Sequence, residues 1–358
     1  MNFYQTDSLS ALQAKFEAQK IAFGPIAFQA TLALRDLGVL AAIEKHGKSG
    51  VAAADIAAEL GLSEYGVKVL AEAGLGMGLL LWNEEVRTFS TTKVAYFVLH
   101  DPMTRANMDF VQDINYRGFL HLQEAITSGR PAGLQTLGNW PTLYEGLAHL
   151  EPKAQKSWLT FDHFHSDAAF SAALRHVFRH KPRQLLDVGG NTGRWTLQCL
   201  AYDSAVQVTI ADLPGQLAMA KANLAASEHA DRIGYYAVNL LDQADALPTQ
   251  HDAIWMSQFL DCFSESEIVT ILQRAASVMG PQDNLFILEA FWDRQQYPAA
   301  AYCLQQTSLY FTCIANGNSQ MYHSGNMKEC LAKAGLVVVE DIDSLGISHT
   351  LFRCQKPA

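Results

Sequence analysis

A glycine-rich segment and an aspartate that follows it form the first candidate site. The segment QLLDVGGNTGRWTL predicts a buried strand carrying Asp187, a glycine turn over residues 189–193 and a helix that begins near Gly193. Asp212 lies at the expected end of the next strand, in TIADLPG. Glycines let the backbone approach a ligand closely, and a carboxylate at that place can accept hydrogen bonds from both hydroxyls of a ribose. The two features together predict a nucleoside site.

The spacing of the glycines excludes two common phosphate-binding motifs. The dinucleotide fingerprint needs glycine where this chain has Asn191 and Arg194, and the GK[ST] sequence of a P-loop does not follow. A glycine turn without pyrophosphate spacing, beside a ribose acceptor, favours a nucleoside without phosphates, and S-adenosylmethionine meets that description. The alternative is an ordinary strand-to-helix turn.

The elements that position these residues alternate between strand and helix. Short apolar runs predict strands over 184–188, 206–211, 233–238, 252–256 and 284–290, with a helix after each. The C-terminal sequence LVVVEDIDSLGISHTLFRC predicts an antiparallel hairpin at one sheet edge. This pattern is typical of an α/β domain whose parallel sheet is covered by helices on both faces.

The N-terminal part of the chain predicts a winged-helix unit over about residues 28–97. Two short helices, the second with Ser63 as its N-cap, precede an expected hairpin in LLLWNEEVRTFSTT. Lys68 is the only cation in the helix that would read DNA, so burial against a partner or a neighbouring domain is favoured over DNA recognition. We expect three regions, at 1–105, 106–175 (a helical connector) and 176–358.

Composition narrows the function classes further. The 358 residues carry a net charge of −10, which disfavours general binding to nucleic acid or to anionic membranes. Six scattered cysteines without a CxxC pair indicate a reducing cytoplasm, and no metal site is predicted. The N-terminus lacks the features of a signal peptide, and the longest uncharged early run, 21–34, is too short to span a bilayer.

Several segments resemble the plant-type O-methyltransferases and their bacterial relatives, a family of class I S-adenosylmethionine-dependent methyltransferases. They are LLDVGGNTG, ADLP, DAIWMSQFLDCFSESE, the strand that carries Glu289, and AGL at 334–336. The resemblance runs from about residue 20 to the end. It implies a Rossmann-like, seven-stranded methyltransferase domain behind a mostly helical winged-helix domain that forms a homodimer. It also implies S-adenosyl-L-methionine as cofactor and a phenolic hydroxyl of a small aromatic molecule as acceptor.

The resemblance also implies which residues hold the cofactor. Gly189 would lie under the methionine moiety, Asp212 would hold the ribose and Leu213 would lie beside the adenine. The Gly-Asp-aromatic motif of the family falls on 238–240 here, where Asn239 can still accept through its carbonyl oxygen, and a family lysine is replaced by Ser257. The full set of expected cofactor residues is Asp187, Gly189, Gly193, Asp212, Leu213, Asn239, Leu240 and Ser257.

The catalytic segment departs from the family pattern, because Asp261 stands where the family has its histidine base. A free aspartate has a pKa about six units below that of a phenol. Burial in an aromatic pocket would raise the pKa of Asp261, or Asp261 could orient a histidine. We expect a composite catalytic site of Asp261, Glu289 and His323. The expected substrate-pocket residues are Phe161, His163, His165 and Tyr310.

Other interpretations stay open at this point. Asp261 could simply cap the helix that starts near Ser264, and His323 could be a surface loop residue. The chain could be a cofactor-binding protein that has lost methyl transfer, or one that runs hydroxylation or decarboxylation with the same cofactor. A transcription factor with a metabolite-sensing domain is disfavoured by the scarcity of cations in the second helix.

Overall fold

The chain divides into two compact units in a computed structural model that describes residues 4–242 and 244–357. The N-terminal unit ends at Asp109, and the C-terminal unit begins at Phe110. The region expected as a separate connector, 106–175, therefore lies mostly in the same compact unit as the sheet.

The N-terminal unit is mostly helical with one small hairpin. Its elements are α1 (Ala11–Ala22), α2 (Gly24–Asp36), α3 (Val39–Lys45), α4 (Ala53–Leu60), α5 (Glu64–Gly76), β1 (Leu80–Asn83), β2 (Thr88–Thr91), α6 (Lys93–His100) and α7 (Pro102–Phe110). The Ser63 hydroxyl accepts from the Gly66 amide at 3.0 Å and caps α5, as predicted. Strands β1 and β2 pair in antiparallel fashion, as expected of the wing. The order of helix, helix and hairpin is thus the predicted one.

Buried apolar side chains from several helices hold this unit together. Leu34, Leu40 and Ile43 are fully buried in a core that also takes in Val67 and Phe89. Within the described residues, no single helix is long and apolar enough to cross a membrane. Taken together, α2 and α3, which are bent by 58°, have the length and apolar composition of a membrane span. Their buried side chains belong to this core.

The C-terminal unit begins with helices and continues as an alternation of strands and helices. Its helices are α8 (Leu122–Ser128), α9 (Leu143–Gly146), α10 (Pro152–Phe178), α11 (Arg194–Tyr202), α12 (Pro214–Leu224), α13 (Glu265–Val278), α14 (Pro298–Tyr310) and α15 (Ser324–Lys333). Its strands are β3 (Gln184–Val188), β4 (Gln207–Asp212), β5 (Ile233–Ala237), β6 (Ala253–Ser257), β7 (Asn284–Glu289), β8 (Val337–Leu345) and β9 (His349–Gln355).

The strands form one seven-stranded mixed sheet in the order β5-β4-β3-β6-β7-β9-β8. The first five are parallel, and β9 runs antiparallel to both β7 and β8. This confirms the predicted Rossmann-like sheet with a C-terminal hairpin, and each predicted strand boundary lies within one residue of the observed one. Because the chain order reverses at β3, which lies between β4 and β6, the turn after β3 lies at the switch point where ligands bind in such folds.

Long helix α10 packs on the sheet. Its residues Phe170 and Leu174 are buried with Leu185 of β3 and Trp255 of β6. The packing fixes the N-terminal half of α10, which carries Trp158 to His165, beside the carboxyl ends of the parallel strands.

Candidate active site

A cavity of about 360 Å³ lies at the carboxyl ends of the parallel strands, within the C-terminal unit. Its volume is that of a typical small-molecule site, which is about 300–1,000 Å³. The strand ends contribute Gly189, Asp212, Val238 and Gln258. Aromatic side chains from the helical part of the unit form much of the remaining wall, namely Phe110, Trp158, Phe161, Phe263, Tyr310 and Phe311.

The predicted glycine turn lies beside this cavity. Gly189 has φ +71°, a conformation that favours glycine, and a Cβ there would overlap the ring of Phe259. Gly193 has φ +81° and a Cβ there would come within 2.6 Å of Leu224 Cδ1, so this glycine packs the turn and does not line the cavity. The buried Asp187 accepts from Thr196 Oγ1 at 2.7 Å and supports the turn from below, and burial raises its pKa to about 7.

Asp212 points its carboxylate into the same cavity from the end of β4. Oδ2 accepts from the Asn191 amide at 3.0 Å, and Oδ1 accepts from the Leu213 amide at 2.7 Å. Burial raises the pKa of Asp212 to about 6, and the two amide hydrogen bonds oppose that rise. Each oxygen retains a further lone pair, so the carboxylate can accept two more hydroxyl donors.

The four other expected cofactor residues take different positions. Leu240 lines the cavity, as does Leu213. Asn239 also lines it, but its Oδ1 already accepts from the Leu241 amide at 3.0 Å, because the side chain closes a local turn. Ser257 lines an adjoining cavity of about 70 Å³, which shares Gly189 and Gln258 with the larger one. The expected cofactor residue Ser257 thus borders the smaller cavity and not the larger one.

Asp261 lies on a short turn after β6, lines the cavity and is 5% exposed. The Cys262 thiol lies 3.5 Å from Oδ1 in donor geometry, and burial raises the pKa of Asp261 to about 7. The interpretation of Asp261 as a helix cap is wrong, because Ser264 caps α13 in a capping box with Glu267. Asp261 is therefore free to act on a ligand.

Glu289 supports the turn that carries Asp261. It ends β7, and its Oε1 accepts from the amides of Phe259 at 3.0 Å and Leu260 at 2.9 Å. Burial raises the pKa of Glu289 well above its usual range, and the charge of Asp261 raises it further. Gln258 at the start of this turn has φ +45°, a strained conformation of the kind that clusters at functional sites. Glu289 itself does not line the cavity.

The structure does not bring the expected histidine to Asp261. His323 caps α15: its Nδ1 accepts from the Gly325 amide at 2.9 Å, while its Nε2 lies 3.5 Å from Asp293 Oδ2. This half-exposed residue does not line the cavity, which corrects the composite site of Asp261, Glu289 and His323. The cap holds the imidazole at the start of α15. The alternative that His323 is a surface loop residue was therefore nearer to the observed position.

The two histidines of α10 differ in position. His163 lines the smaller cavity, with Nε2 3.4 Å from Thr192 Oγ1. His165 packs against Phe161 with ring centroids 4.7 Å apart, and burial lowers its pKa to about 4. Neither lines the larger cavity, unlike the expected pocket residues Phe161 and Tyr310.

Sequence reasoning missed three acidic residues of this cavity, namely Glu145, Asp162 and Glu267. Asp162 lines both cavities, and its side chain is 26% exposed. Its Oδ2 accepts from Asn191 Nδ2 at 3.3 Å, and burial, followed by the charge of Asp261, raises the pKa of Asp162 to about 7. The available signal was its position one residue after Phe161, on a helix that was expected to line the pocket.

Comparison with known protein families shows to which family the chain belongs. Residues 119–337, well over half of the chain, match the O-methyltransferase domain, and residues 15–87 match the Dimerisation2-like domain. The chain belongs to the O-methyltransferase family. The family assignment covers β3 to α15 and so includes every strand end that lines the cavity.

Curated relatives match the chain over parts of their length. A 3-hydroxy-5-methyl-1-naphthoate 3-O-methyltransferase of Streptomyces sahachiroi is 30% identical over 111 residues, which is 31% of this chain and 32% of that protein. Acetylserotonin O-methyltransferase of Bos taurus is 24% identical over 250 residues, 67% of this chain and 70% of that protein. The match thus spans about a third of the naphthoate enzyme.

Solved structures share the fold over nearly the whole O-methyltransferase chain. The S-adenosylmethionine-dependent methyltransferase SibL in its apo form has a TM-score of 0.72 at 21% identity, covering 96% of this chain and 99% of that one. Human N-acetylserotonin methyltransferase in complex with SAM has a TM-score of 0.67 at 18% identity, covering 99% of this chain and 100% of that one.

The residues of the O-methyltransferase cavity fit S-adenosylmethionine. Asp212 offers two oxygens to a ribose, Leu213 and Leu240 offer apolar contacts to an adenine, and Gly189 lets the backbone approach without a Cβ. The buried Oε1 of Gln216 and Oδ1 of Asn191 have no hydrogen-bond partner among the described residues, as expected where a ligand supplies the donors. When bound, the cofactor supplies a methyl group on a positively charged sulfur.

The remaining groups can align an acceptor and take its proton. An in-line displacement needs the acceptor held in one orientation, and the stacked rings of Phe110 and Phe161, 4.0 Å apart, give a flat wall for an aromatic ring. Trp158 Nε1 donates to the Tyr310 hydroxyl at 2.8 Å and fixes a second part of that wall. Asp261 and Asp162 are carboxyl groups of the cavity wall whose pKa burial raises to about 7, and a carboxylate with such a pKa can take up a proton.

Proposed function

We propose that the protein transfers a methyl group from S-adenosylmethionine to a hydroxyl of a small aromatic molecule. The observation that carries this proposal is the placement of Asp212 and Asp261 on one cavity with aromatic walls. Asp212 would accept the ribose hydroxyls, and Asp261 would accept the proton of the acceptor hydroxyl as methyl transfer proceeds. The names of the naphthoate and acetylserotonin relatives support an aromatic acceptor.

Asp261 replaces the imidazole base through burial. With its pKa at about 7, the mismatch against a phenol near 10 falls to about three units, a range that general-base catalysis tolerates. Glu289 is the positioning residue in this proposal, since its carboxylate fixes the amides of the turn that carries Asp261. No histidine is needed for the step.

The experiment is a methyl-transfer assay with S-adenosylmethionine labelled in the methyl group and a panel of phenols and catechols. Mass spectrometry of the products should show one added labelled methyl group on oxygen. A product that gains an oxygen atom or loses carbon dioxide would replace this function by hydroxylation or decarboxylation. Failure to form any product, together with undetectable affinity for S-adenosylhomocysteine, would refute the proposal.

We also propose that the N-terminal unit joins two copies of the chain as a homodimer. The match of residues 15–87 to the Dimerisation2-like domain supports this assignment. Helix α1 buries none of its own residues, and Leu12 and Ile21 are 79% and 81% exposed. Sedimentation equilibrium should give twice the 39.4 kDa mass of the chain, and Leu12→Asp with Ile21→Asp should reduce it to a monomer.

A further inference from the structure

We propose that the acceptor is a hydroxylated aromatic amine whose ammonium group binds at Asp162. This inference rests on the proposed methyltransferase function and names the acceptor class of the same cavity. Its basis is the charge of the cavity wall, the position of Asp162 and the aromatic rings that line the same cavity. Carboxylated aromatic molecules are the class that such a wall rejects.

The wall of the larger cavity is acidic. Five carboxyl side chains line it, while no lysine, arginine or histidine among the described residues does so. They are Glu145, Asp162, Asp212, Asp261 and Glu267. In a partly desolvated site, charges of one sign attract a ligand of the opposite sign and disfavour a ligand of the same sign.

Three of these carboxyl groups already have a role in the proposed reaction or in the fold. Asp212 receives the ribose, Asp261 receives the acceptor proton, and Glu267 is held by the Ser264 hydroxyl at 2.7 Å. Glu145 is exposed. Asp162 is the remaining mostly buried carboxyl group that lines the cavity.

Asp162 is weakly neutralised by its neighbours. Asn191 Nδ2 lies 3.3 Å from its Oδ2, and His163 Nε2 lies 3.9 Å from the same oxygen. The nearby Arg194, which lines the smaller cavity and pairs with Asp167, lowers the pKa of Asp162, but burial and the charges of Asp261 and Asp167 outweigh its effect. A buried carboxylate with so little compensation costs free energy, and a bound cation would remove that cost.

Aromatic rings beside Asp162 favour the same class of ligand. Phe161 precedes it on α10 and lines the cavity together with Trp158. The faces of such rings attract ammonium groups, and the attraction strengthens when the cation is desolvated. A carboxylate in a cavity lined by such rings can therefore bind the ammonium group while the ring of the acceptor stacks on the aromatic wall.

The test compares three catechols that differ in the charge of their side chain. Calorimetry measures the binding of dopamine, 4-ethylcatechol and 3-(3,4-dihydroxyphenyl)propanoate to the full chain loaded with S-adenosylhomocysteine at pH 7.5. Dopamine, which is protonated at this pH, should bind at least about tenfold more tightly than 4-ethylcatechol, and the propanoate more weakly than both. Equal or weaker binding of dopamine relative to 4-ethylcatechol overturns the inference.

Two variants test whether Asp162 causes the preference for dopamine. Asp162→Asn should reduce the dopamine preference to within about threefold while retaining affinity for S-adenosylhomocysteine. Glu228→Gln removes the same charge at a side chain that is 87% exposed and does not line the cavity, so the preference should persist. A preference that survives unchanged in Asp162→Asn contradicts the assignment.

The same proteins separate this inference from the proposed function. Methylation of 4-ethylcatechol without any preference for dopamine would overturn the amine site and leave the methyltransferase function intact. Binding of S-adenosylhomocysteine without binding or methylation of any catechol would contradict both.

Discussion

Replacement of Asp261 by asparagine is the perturbation that tests the proposed base. The amide keeps the size of the side chain but cannot take up a proton at neutral pH. General-base catalysis contributes about 10²- to 10⁴-fold to such reactions, so kcat of Asp261→Asn should fall by about that factor. The KM for S-adenosylmethionine should stay within about threefold, because Asp212 and the glycine turn hold the cofactor.

The pH dependence gives a second, sharper expectation. With a pKa of about 7, Asp261 is ionised to about one tenth at pH 6 and about nine tenths at pH 8. The rate of methyl transfer should therefore rise about tenfold over this range and then level off. The rise should be absent in Asp261→Asn. Asp162, a like charge in the same cavity, should shift the midpoint to lower pH when replaced by asparagine.

Stability measurements control for unfolding in this variant. The pKa of Asp261 rises from 3.8 to about 7 in the folded state, so its contribution to stability is full below pH 3.8 and is lost as pH rises through 7. Asp261→Asn should thus match the wild type near pH 4 and exceed it at pH 8 by up to about 4 kcal/mol in urea unfolding.

Two results would refute this reasoning. One is an Asp261→Asn variant that keeps more than about a third of the wild-type kcat, since a general base is worth far more than that. The other is a wild-type rate that does not change between pH 6 and pH 8 with a saturating acceptor.

Three further variants test the positions of other residues. Gly189→Ala should weaken S-adenosylhomocysteine binding at least about tenfold in calorimetry, because its Cβ overlaps Phe259, whereas Gly215→Ala, whose Cβ meets nothing within 4 Å, should bind normally. Asp212→Asn should weaken that binding by about tenfold to a hundredfold, and an unchanged affinity would contradict the ribose assignment. His323→Ala should lower the free energy of unfolding by about 1 kcal/mol through loss of the cap while leaving kcat unchanged, and a large fall in kcat would return His323 to the active site.

The sequence predicted the parts of the site that local spacing determines. The strand, the glycine turn and Asp212 follow one another along the chain, and the conformations of Gly189 and Gly193 agree with the turn. The sheet and its hairpin were predictable for the same reason, since apolar runs of strand length alternate with helices. The position of Asp261 on a turn after β6 also followed from its neighbours.

The contacts across the cavity were beyond such reasoning. Whether Asp162 or His323 comes near Asp261 depends on how α10 and α15 pack on the sheet, and no spacing within a single segment encodes that packing. One expectation from residue type was wrong. His323 was favoured as part of the catalytic site because imidazole is the usual base. In the structure, His323 caps α15, and burial raises the pKa of Asp261.

A crystal structure with S-adenosylhomocysteine and a catechol tests the central claim most directly. We expect the ribose hydroxyls on the Asp212 carboxylate and the acceptor hydroxyl about 2.6–3.2 Å from an oxygen of Asp261. A catechol whose hydroxyls lie against a histidine or against bulk water, with Asp261 turned away, would contradict the account.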